Sequence, residues 1–486
     1  MAADEAIQRI YAASVRLTPD AIDFLKANEN ADFIADKIIA IGSPIITKED
    51  IDNLLKQEEK IPMPVEVIRQ SGFSPIAADH PTRLEVLTDQ DVSGKSRCTG
   101  SLENFVEYFR DRFTRSSGML RVRMLGKAPI PLNRLKEHKN ESGWFIGMVS
   151  DKRITKNEHL LIEVEDEHGT ANIFVSKNER KLMEYGKRVL LDDVIAIEGK
   201  IGDDAFIIAT DIIWPDMPFG RDQKLCESDV ATVYLSDIHI GSKYFLEKEF
   251  SKFINWLNGN EREKEIAGKV KYIIVAGDLV DGIGIYPNQE KELVVKDIYK
   301  QYEMFDSLIQ SIPDYIEVIV APGNHDAVRR GEPQPRLPKD VIKSDVTSIG
   351  SPSYVKIEGI KHLIYHGTSL DSIIANMSGL DYSKPEFVML ELLKRRHLSP
   401  IYGENPIIPE GRDYMLIDEE PDVVHMGHIH KNGNLMYRGT MLVNSGTFQS
   451  RTDFQVKMGH VPSPGLVPVY EMKTGKLSQI NFGIEG

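Results

Sequence analysis

Five stretches of this chain end in the same way. ATVYLSDIHIG (231–241), YIIVAGDLVDG (272–282), VIVAPGNHDAV (318–328), HLIYHGTSLD (362–371) and DVVHMGHIHKNG (422–433) are apolar, β-rich runs that close on Gly, Asp, Asn or His. Such runs read as buried parallel strands with functional tips. In open α/β sheets, sites form just outside the carboxyl ends of strands. A fold that uses all five tips must bring Asp237, His239, Asp278, Asn324, His366, His428 and His430 to one place. The predicted fold class is therefore α/β, with helical stretches such as 245–258 and 291–311 alternating with strands in a layered domain over 225–486.

Seven ligands are too many for one ion and suit two ions that share a carboxylate. Asp278 is the expected bridge, because a carboxylate offers one oxygen to each metal. The mixture of hard oxygens with imidazoles favours two divalent ions, manganese first and iron or zinc as alternatives, over calcium or magnesium. Metal pairs roughly 3.5–4 Å apart are a common device for cleaving phosphate esters, holding a hydroxide nucleophile and neutralising phosphoryl charge. A single D-x-H or G-H-x-H arises readily by chance. Five such patches in order, each at a strand end, do not.

The set D-x-H, G-D-x-x-D, G-N-H-D, a lone H and G-H-x-H resembles the calcineurin-like metallophosphoesterase superfamily. That resemblance implies Asp237, His239 and His430 on the first metal, Asn324, His366 and His428 on the second, and Asp278 between them. It implies that His325 is no ligand but the proton donor to the leaving oxygen, with Asp281 orienting His325 as carboxylates commonly orient imidazoles. His362 is a weaker candidate than His366 for the fourth motif. Protein phosphatases usually carry Arg after the second Asp of G-D-x-x-D, whereas Gly282 stands here, which argues against that branch.

Composition excludes several other classes. No apolar run reaches the roughly 18 residues of a membrane span, and MAADEAIQRIYA lacks the pattern of a secretory signal. Two cysteines, Cys98 and Cys226, make no disulfide framework and no Cys-rich zinc finger. A cytoplasmic location and no membrane partner are expected. A net charge of −15 argues against coating nucleic acid by bulk charge, but it permits a nuclease whose metals meet the phosphates.

Ahead of the phosphoesterase, residues 1–70 read as a small helical module. Thr18-Pro19-Asp20 marks a helix start, and a role in docking partners is expected. Residues 71–141 read as a linker with one amphipathic helix at 101–117, whose Arg110, Arg112 and Arg115 could touch nucleic acid or simply be solvated. Residues 142–216 alternate as five short strands, which fits an OB-like β-barrel. Trp144, Phe145, Phe174 and Phe206 are its candidates for base stacking.

The order barrel-then-phosphoesterase resembles the second subunits of replicative DNA polymerases. The likeness sharpens at Pro322-Gly-Asn-His-Asp-Ala-Val-Arg329, Pro333-Gln-Pro335, Thr447-Phe-Gln449 and Pro462-Ser-Pro-Gly465. With every ligand retained, the chain is similar to the small subunits of archaeal D-family DNA polymerases. The resemblance implies a 3′→5′ proofreading exonuclease, DNA 3′ ends as substrate and a large polymerising subunit as partner. Arg329 and Arg330, just past the catalytic loop, are candidates to hold phosphate. The alternatives are a non-catalytic clamp or scaffold subunit and a free-standing metal-dependent phosphodiesterase.

Overall fold

The computed structural model describes residues 2–28, 31–41, 43–58, 72–202, 206–260 and 262–483. Contacts divide the chain into two compact units, 1–65 and 66–486. The C-terminal part of the expected helical module, 59–70, lies outside the described residues, as does residue 71.

The first unit holds helices α1 (Ala2–Ala12), α2 (Pro19–Ala27), α3 (Ala31–Ile41) and α4 (Lys48–Glu58), with a two-residue parallel pair, β1 (Arg16–Leu17) and β2 (Ile45–Ile46). Pro19 opens α2 as expected, because the first helical position needs no N–H. Thr47 and Asp50 cap α4 reciprocally, by Thr47 N to Asp50 Oδ2 at 2.8 Å and Asp50 N to Thr47 Oγ1 at 3.2 Å. Ile10, Leu25, Ile34, Ile38 and Ile51 form the core of this unit.

In the second unit, five strands close a barrel: β4 (Ser142–Ile154), β5 (Leu160–Glu165), β6 (Thr170–Val175), β7 (Val194–Ile201) and β8 (Phe206–Ile213). Their order is β4-β5-β6-β8-β7, with β6 and β8 parallel and β4 sealing against β7. Helix α6 (Arg180–Lys187) joins β6 to β7. Phe145 is fully buried among Val149, Ile162, Ile173 and Ile197. It fills the barrel and is not free to stack on a base.

The phosphoesterase is a sandwich of two six-stranded sheets. The first runs β12 (Thr347–Ser348), β11 (Glu317–Ala321), β10 (Val270–Ala276), β9 (Ala231–Leu235), β18 (Leu466–Glu471), β19 (Lys476–Asn481). The second runs β16 (Gly433–Tyr437), β17 (Thr440–Asn444), β15 (Val423–Met426), β14 (Ile360–Ile364), β13 (Ser353–Ile357), β3 (Leu84–Val86). Strands β9, β10 and β11 are parallel, as are β14, β15 and β17. Period-two alternation explains why these strands are apolar throughout. Ile364, Val423 and Val443 of the second sheet share a core with Tyr234, Ile274 and Ile319 of the first. Their neighbours Leu363, Val424 and Leu442 pack on α10 (Leu370–Asn376) and α11 (Pro385–Arg395) through Ile373, Leu392 and Leu393. Helices α7 (Glu247–Leu257), α8 (Lys264–Ala267) and α9 (Ile298–Ile309) connect the parallel strands of the first sheet, and α12 (Asp453–Met458) precedes β18.

The expected linker 71–141 needs correcting. It supplies β3, which adds to the edge of the second sheet along β13. Asp91 is buried and accepts from Gly350 N at 2.8 Å. The stretch is tied down because its backbone groups find partners on the sandwich. The amphipathic helix is longer than expected, α5 (Leu102–Arg123), and starts at a Ser101–Asn104 capping box. Two of its arginines, Arg112 and Arg115, face protein, whereas Arg110 stays exposed. Arg112 is buried, donating to Asp413 Oδ2 at 2.8 Å, Pro400 O at 2.8 Å and Tyr108 OH at 2.9 Å. Arg115 donates to Asp418 Oδ1 at 3.0 Å, and Arg110 pairs with Glu167 of the barrel at 3.3 Å. Sequence periodicity could not show that carboxylates far along the chain would claim these charges. Among the described residues, no helix is long and apolar enough to cross a membrane.

Candidate metal centre

All seven expected ligands converge where the strand ends of the two sheets meet. The loops after β9, β10 and β11 carry Asp237, His239, Asp278 and Asn324, while those after β14 and β15 carry His366, His428 and His430. The turns are tight. Asp237, His239, Asp278, His428 and His430 all adopt positive φ, between 52° and 68°. This conformation is unfavourable for non-glycine residues and gathers at functional sites. Gly277, at φ 85°, precedes Asp278, and a Cβ there would meet His366 Nδ1 at 2.6 Å. A Cβ on Gly323 would stand 2.2 Å from Asp278 Oδ1, so the loops close only without side chains at both positions.

Each carboxylate is held by one oxygen and presents the other. Asp237 Oδ2 accepts from His428 N at 2.9 Å and from the Ser236 hydroxyl, while buried Oδ1 accepts no hydrogen bond. Asp278 Oδ1 accepts from His325 N at 2.9 Å. Its Oδ2 lies 3.8 Å from His239 Nε2 and 3.3 Å from His366 Nε2, between the two halves of the centre. Around Asp237 Oδ1 stand His430 Nε2 at 3.4 Å and His239 Nε2 at 3.9 Å. In the other half, Asn324 Oδ1 is 2.9 Å from His366 Nε2 and 3.1 Å from His428 Nδ1.

The chemistry of this donor set fits a cation pair. An unpartnered buried carboxylate oxygen points into rings of imidazole nitrogens only 3.1 Å (His239–His430) and 3.3 Å (His366–His428) apart. The electrostatics agree. Burial alone would raise the Asp237 carboxyl, but the His430 and His366 imidazoles outweigh it and hold it at about 2. Burial alone would lower His366, but Asp278 outweighs that and lifts it to about 10. The cavity thus favours positive charge. Two divalent cations would be held by Asp237, His239 and His430 on one side and Asn324, His366 and His428 on the other, with Asp278 Oδ2 facing both.

The outer imidazole nitrogens are anchored in turn. His366 Nδ1 meets Ala276 O at 2.8 Å, His428 Nε2 meets Asp371 Oδ2 at 3.0 Å, and His430 Nδ1 lies 3.0 Å from Gln455 Nε2. His239 Nδ1 meets Asp281 Oδ1 at 3.0 Å. The expected role of Asp281 is corrected here: its carboxylate orients the ligand His239, and only its main-chain carbonyl holds His325 Nδ1, at 2.8 Å. Gln449 and Gln289 complete that carboxylate at 3.1 and 3.2 Å. Such outer partners fix tautomer and ring angle. We expect Asp281→Asn to weaken cation binding in the His239 half by about 10–100-fold. Calorimetric titration with Mn²⁺ checks this, and an unchanged affinity would remove Asp281 from the support of the centre.

His325 lines the cleft beside the centre, with Nε2 3.9 Å from Asp278 Oδ2. Burial holds its imidazole below the usual 6.5, partly offset by Asp278. His362 takes no part: it is buried against Tyr234 OH at 3.0 Å and Ile360 O at 3.1 Å. Arg329 is also corrected. Its guanidinium is spent on Pro333 O, Ser96 Oγ and Glu410 Oε1 at 3.0, 2.6 and 3.2 Å. Arg330 is exposed and ties down the loop after Asp281 through Gly284 O at 2.9 Å and Ile285 O at 3.3 Å. Asp326 was not singled out by its motif. It accepts from Gly323 N at 2.8 Å and Tyr302 OH at 3.0 Å, and so shapes the Gly-Asn-His-Asp turn. Asp371 and Gln455 carried no signal beyond proximity to ligands in the fold.

Comparison with known proteins agrees with this geometry. The family "Calcineurin-like phosphoesterase" matches residues 231–432. The DNA polymerase II small subunit of Methanocaldococcus jannaschii is 42% identical over 436 residues, covering 87% of this chain and 73% of that protein. The protein of the same name from Archaeoglobus fulgidus is 40% identical over 478 residues, covering 96% and 95%. That from Methanothermobacter thermautotrophicus is 38% identical over 447 residues, covering 90% of each. At this identity and coverage, the chain belongs to the DNA polymerase II small-subunit family.

Proposed function

We propose that this chain is a metal-dependent 3′→5′ exonuclease that removes misincorporated nucleotides for a DNA polymerase, in complex with a large polymerising subunit. One observation carries the reading: Asp237 Oδ1, buried and without a hydrogen-bond partner, and Asp278 Oδ2 both turn toward the clustered imidazoles, with His325 beside them in an open cleft. Retention of every expected ligand position supports this reading over a pure clamp subunit, which would tolerate their loss. The partner follows from the relatives' names, since a small subunit implies a larger one. Manganese is the proposed cation, with iron or zinc as alternatives, from the mixture of carboxylate, amide and imidazole donors.

When bound, the cation pair neutralises charge building on the phosphoryl oxygens and acidifies water. The chain's own part centres on His325. The Asp281 carbonyl fixes Nδ1, so Nε2 faces the cleft. Water attacks phosphorus and gives up a proton, and the bond to the 3′ oxygen of the preceding nucleotide breaks. His325 acts as the imidazolium, keeping Nδ1–H on the Asp281 carbonyl, passing its Nε2 proton to that oxygen and regaining the one that water released. A 5′-nucleotide leaves, and a shortened strand with a 3′ hydroxyl remains. We read the barrel as OB-like from its strand order, and as packing or partner surface, since Phe145 is buried. The helical unit 1–65 is read as a docking element for other replication factors.

The test is a primer labelled at its 3′ end, with matched or mismatched terminus, given to the heterodimer with Mn²⁺. The label is expected to leave first, and faster from the mismatch, because unpairing a terminal base costs a few kcal/mol, roughly. Degradation from the 5′ end, or equal rates on both termini, would overturn the proofreading reading.

A further inference from the structure

The cleft over the metal centre has a volume of about 350 Å³, and its lining residues include no lysine or arginine among the described residues. Backbone phosphates therefore find little attraction there apart from the floor. The rim is aromatic instead. Tyr286 stands beside His325, with ring centroids 6.2 Å apart. Tyr382 and His460 also line it, with ring centroids 3.7 Å apart and planes tilted by 43°. The short helix α12 carries Phe454, which lines the cleft yet is 63% exposed.

Phe454 is held in that position from below. Gln455 and Thr452 cap α12 reciprocally, by Thr452 N to Gln455 Oε1 at 3.1 Å and Gln455 N to Thr452 Oγ1 at 3.2 Å. The Gln455 amide also lies 3.0 Å from His430 Nδ1. The ring of Phe454 is thus tethered, through its neighbour, to a metal ligand. An exposed phenylalanine on a surface helix is unremarkable alone. Fixed on the lining of the cleft that Tyr286, Tyr382 and His460 also line, it offers an exposed aromatic face close to the metal centre.

On the reading given under Proposed function, we infer that Phe454 stacks on the terminal nucleobase of the strand whose last phosphodiester lies on the metal floor. Every base has a π-face, so such a platform accepts any 3′ nucleotide, as a proofreading site requires. A frayed or single-stranded terminus can present that face to the platform, whereas a paired one must first unstack.

The experiment uses the heterodimer with Mn²⁺ and 3′-labelled single strands ending in a normal or an abasic nucleotide. Phe454→Ala should raise KM for the normal strand about 10-fold, within the range of one base–aromatic stack, with the change carried by KM rather than kcat. The abasic terminus should raise KM of the unaltered protein by a similar factor. Combining the two should add little, and Phe454→Trp should restore tight binding to the normal strand. If the two losses multiply, or if Phe454→Ala leaves KM unchanged, the stacking inference is overturned while the nuclease stands. If the unaltered heterodimer removes no 3′ nucleotide, the proposed activity and this inference fall together.

Discussion

Replacing His325 with alanine leaves both cations bound and lowers hydrolysis by about 10²–10⁴-fold, the range for loss of a positioned proton donor. The expectation rests on where its two nitrogens go. Nδ1 is spent on the Asp281 carbonyl, and Nε2 is 3.9 Å from Asp278 Oδ2, at the edge of the ligand set rather than within it. Proximity alone places His325 in a possible ligand group with His239 and Asp278. Elemental analysis of the purified variant decides between the roles: loss of an ion along with activity would make His325 a ligand.

Asp278→Asn should do more, emptying both halves of the centre together and reducing hydrolysis below that of the His325 variant. Asp278 Oδ1 already accepts from His325 N, so an asparagine would keep its carbonyl oxygen there. Its amide nitrogen would then face His239 and His366, where Oδ2 now stands, and an amide N–H₂ cannot ligate a cation. Metal content after gel filtration and turnover of a 3′-labelled strand are the measurements. Loss of a single ion with surviving activity would show that the bridge lies elsewhere.

The ligand set was legible because strand tips are local. A β-branched run and the residues that end it lie within about a dozen positions, and parallel topology then forces those ends to one edge. The five barrel strands were legible for the same reason, through alternation and turns. What failed was longer in range. The destination of Arg112 depends on Asp413, and that of Arg329 on Ser96 and Glu410, partners that no spacing rule connects. Asp281 was assigned to the wrong imidazole because G-D-x-x-D fixes where its carboxylate starts but not which ring it reaches. The segment 72–100 looked like linker because proline and glycine mark turns as well as tethers, and β3 has only three residues.

The division of the ligands between two sheets also has a consequence in time. Asp237, His239, Asp278 and Asn324 emerge from the ribosome well before His366, His428 and His430, and Gln455 follows later still. Domains fold as units during synthesis, and a nascent chain that ends before residue 430 has nothing to close the first half of the centre. On the proposed function, the ability to cut a phosphodiester would therefore be among the last properties this chain acquires, and chains released before residue 430 would lack it.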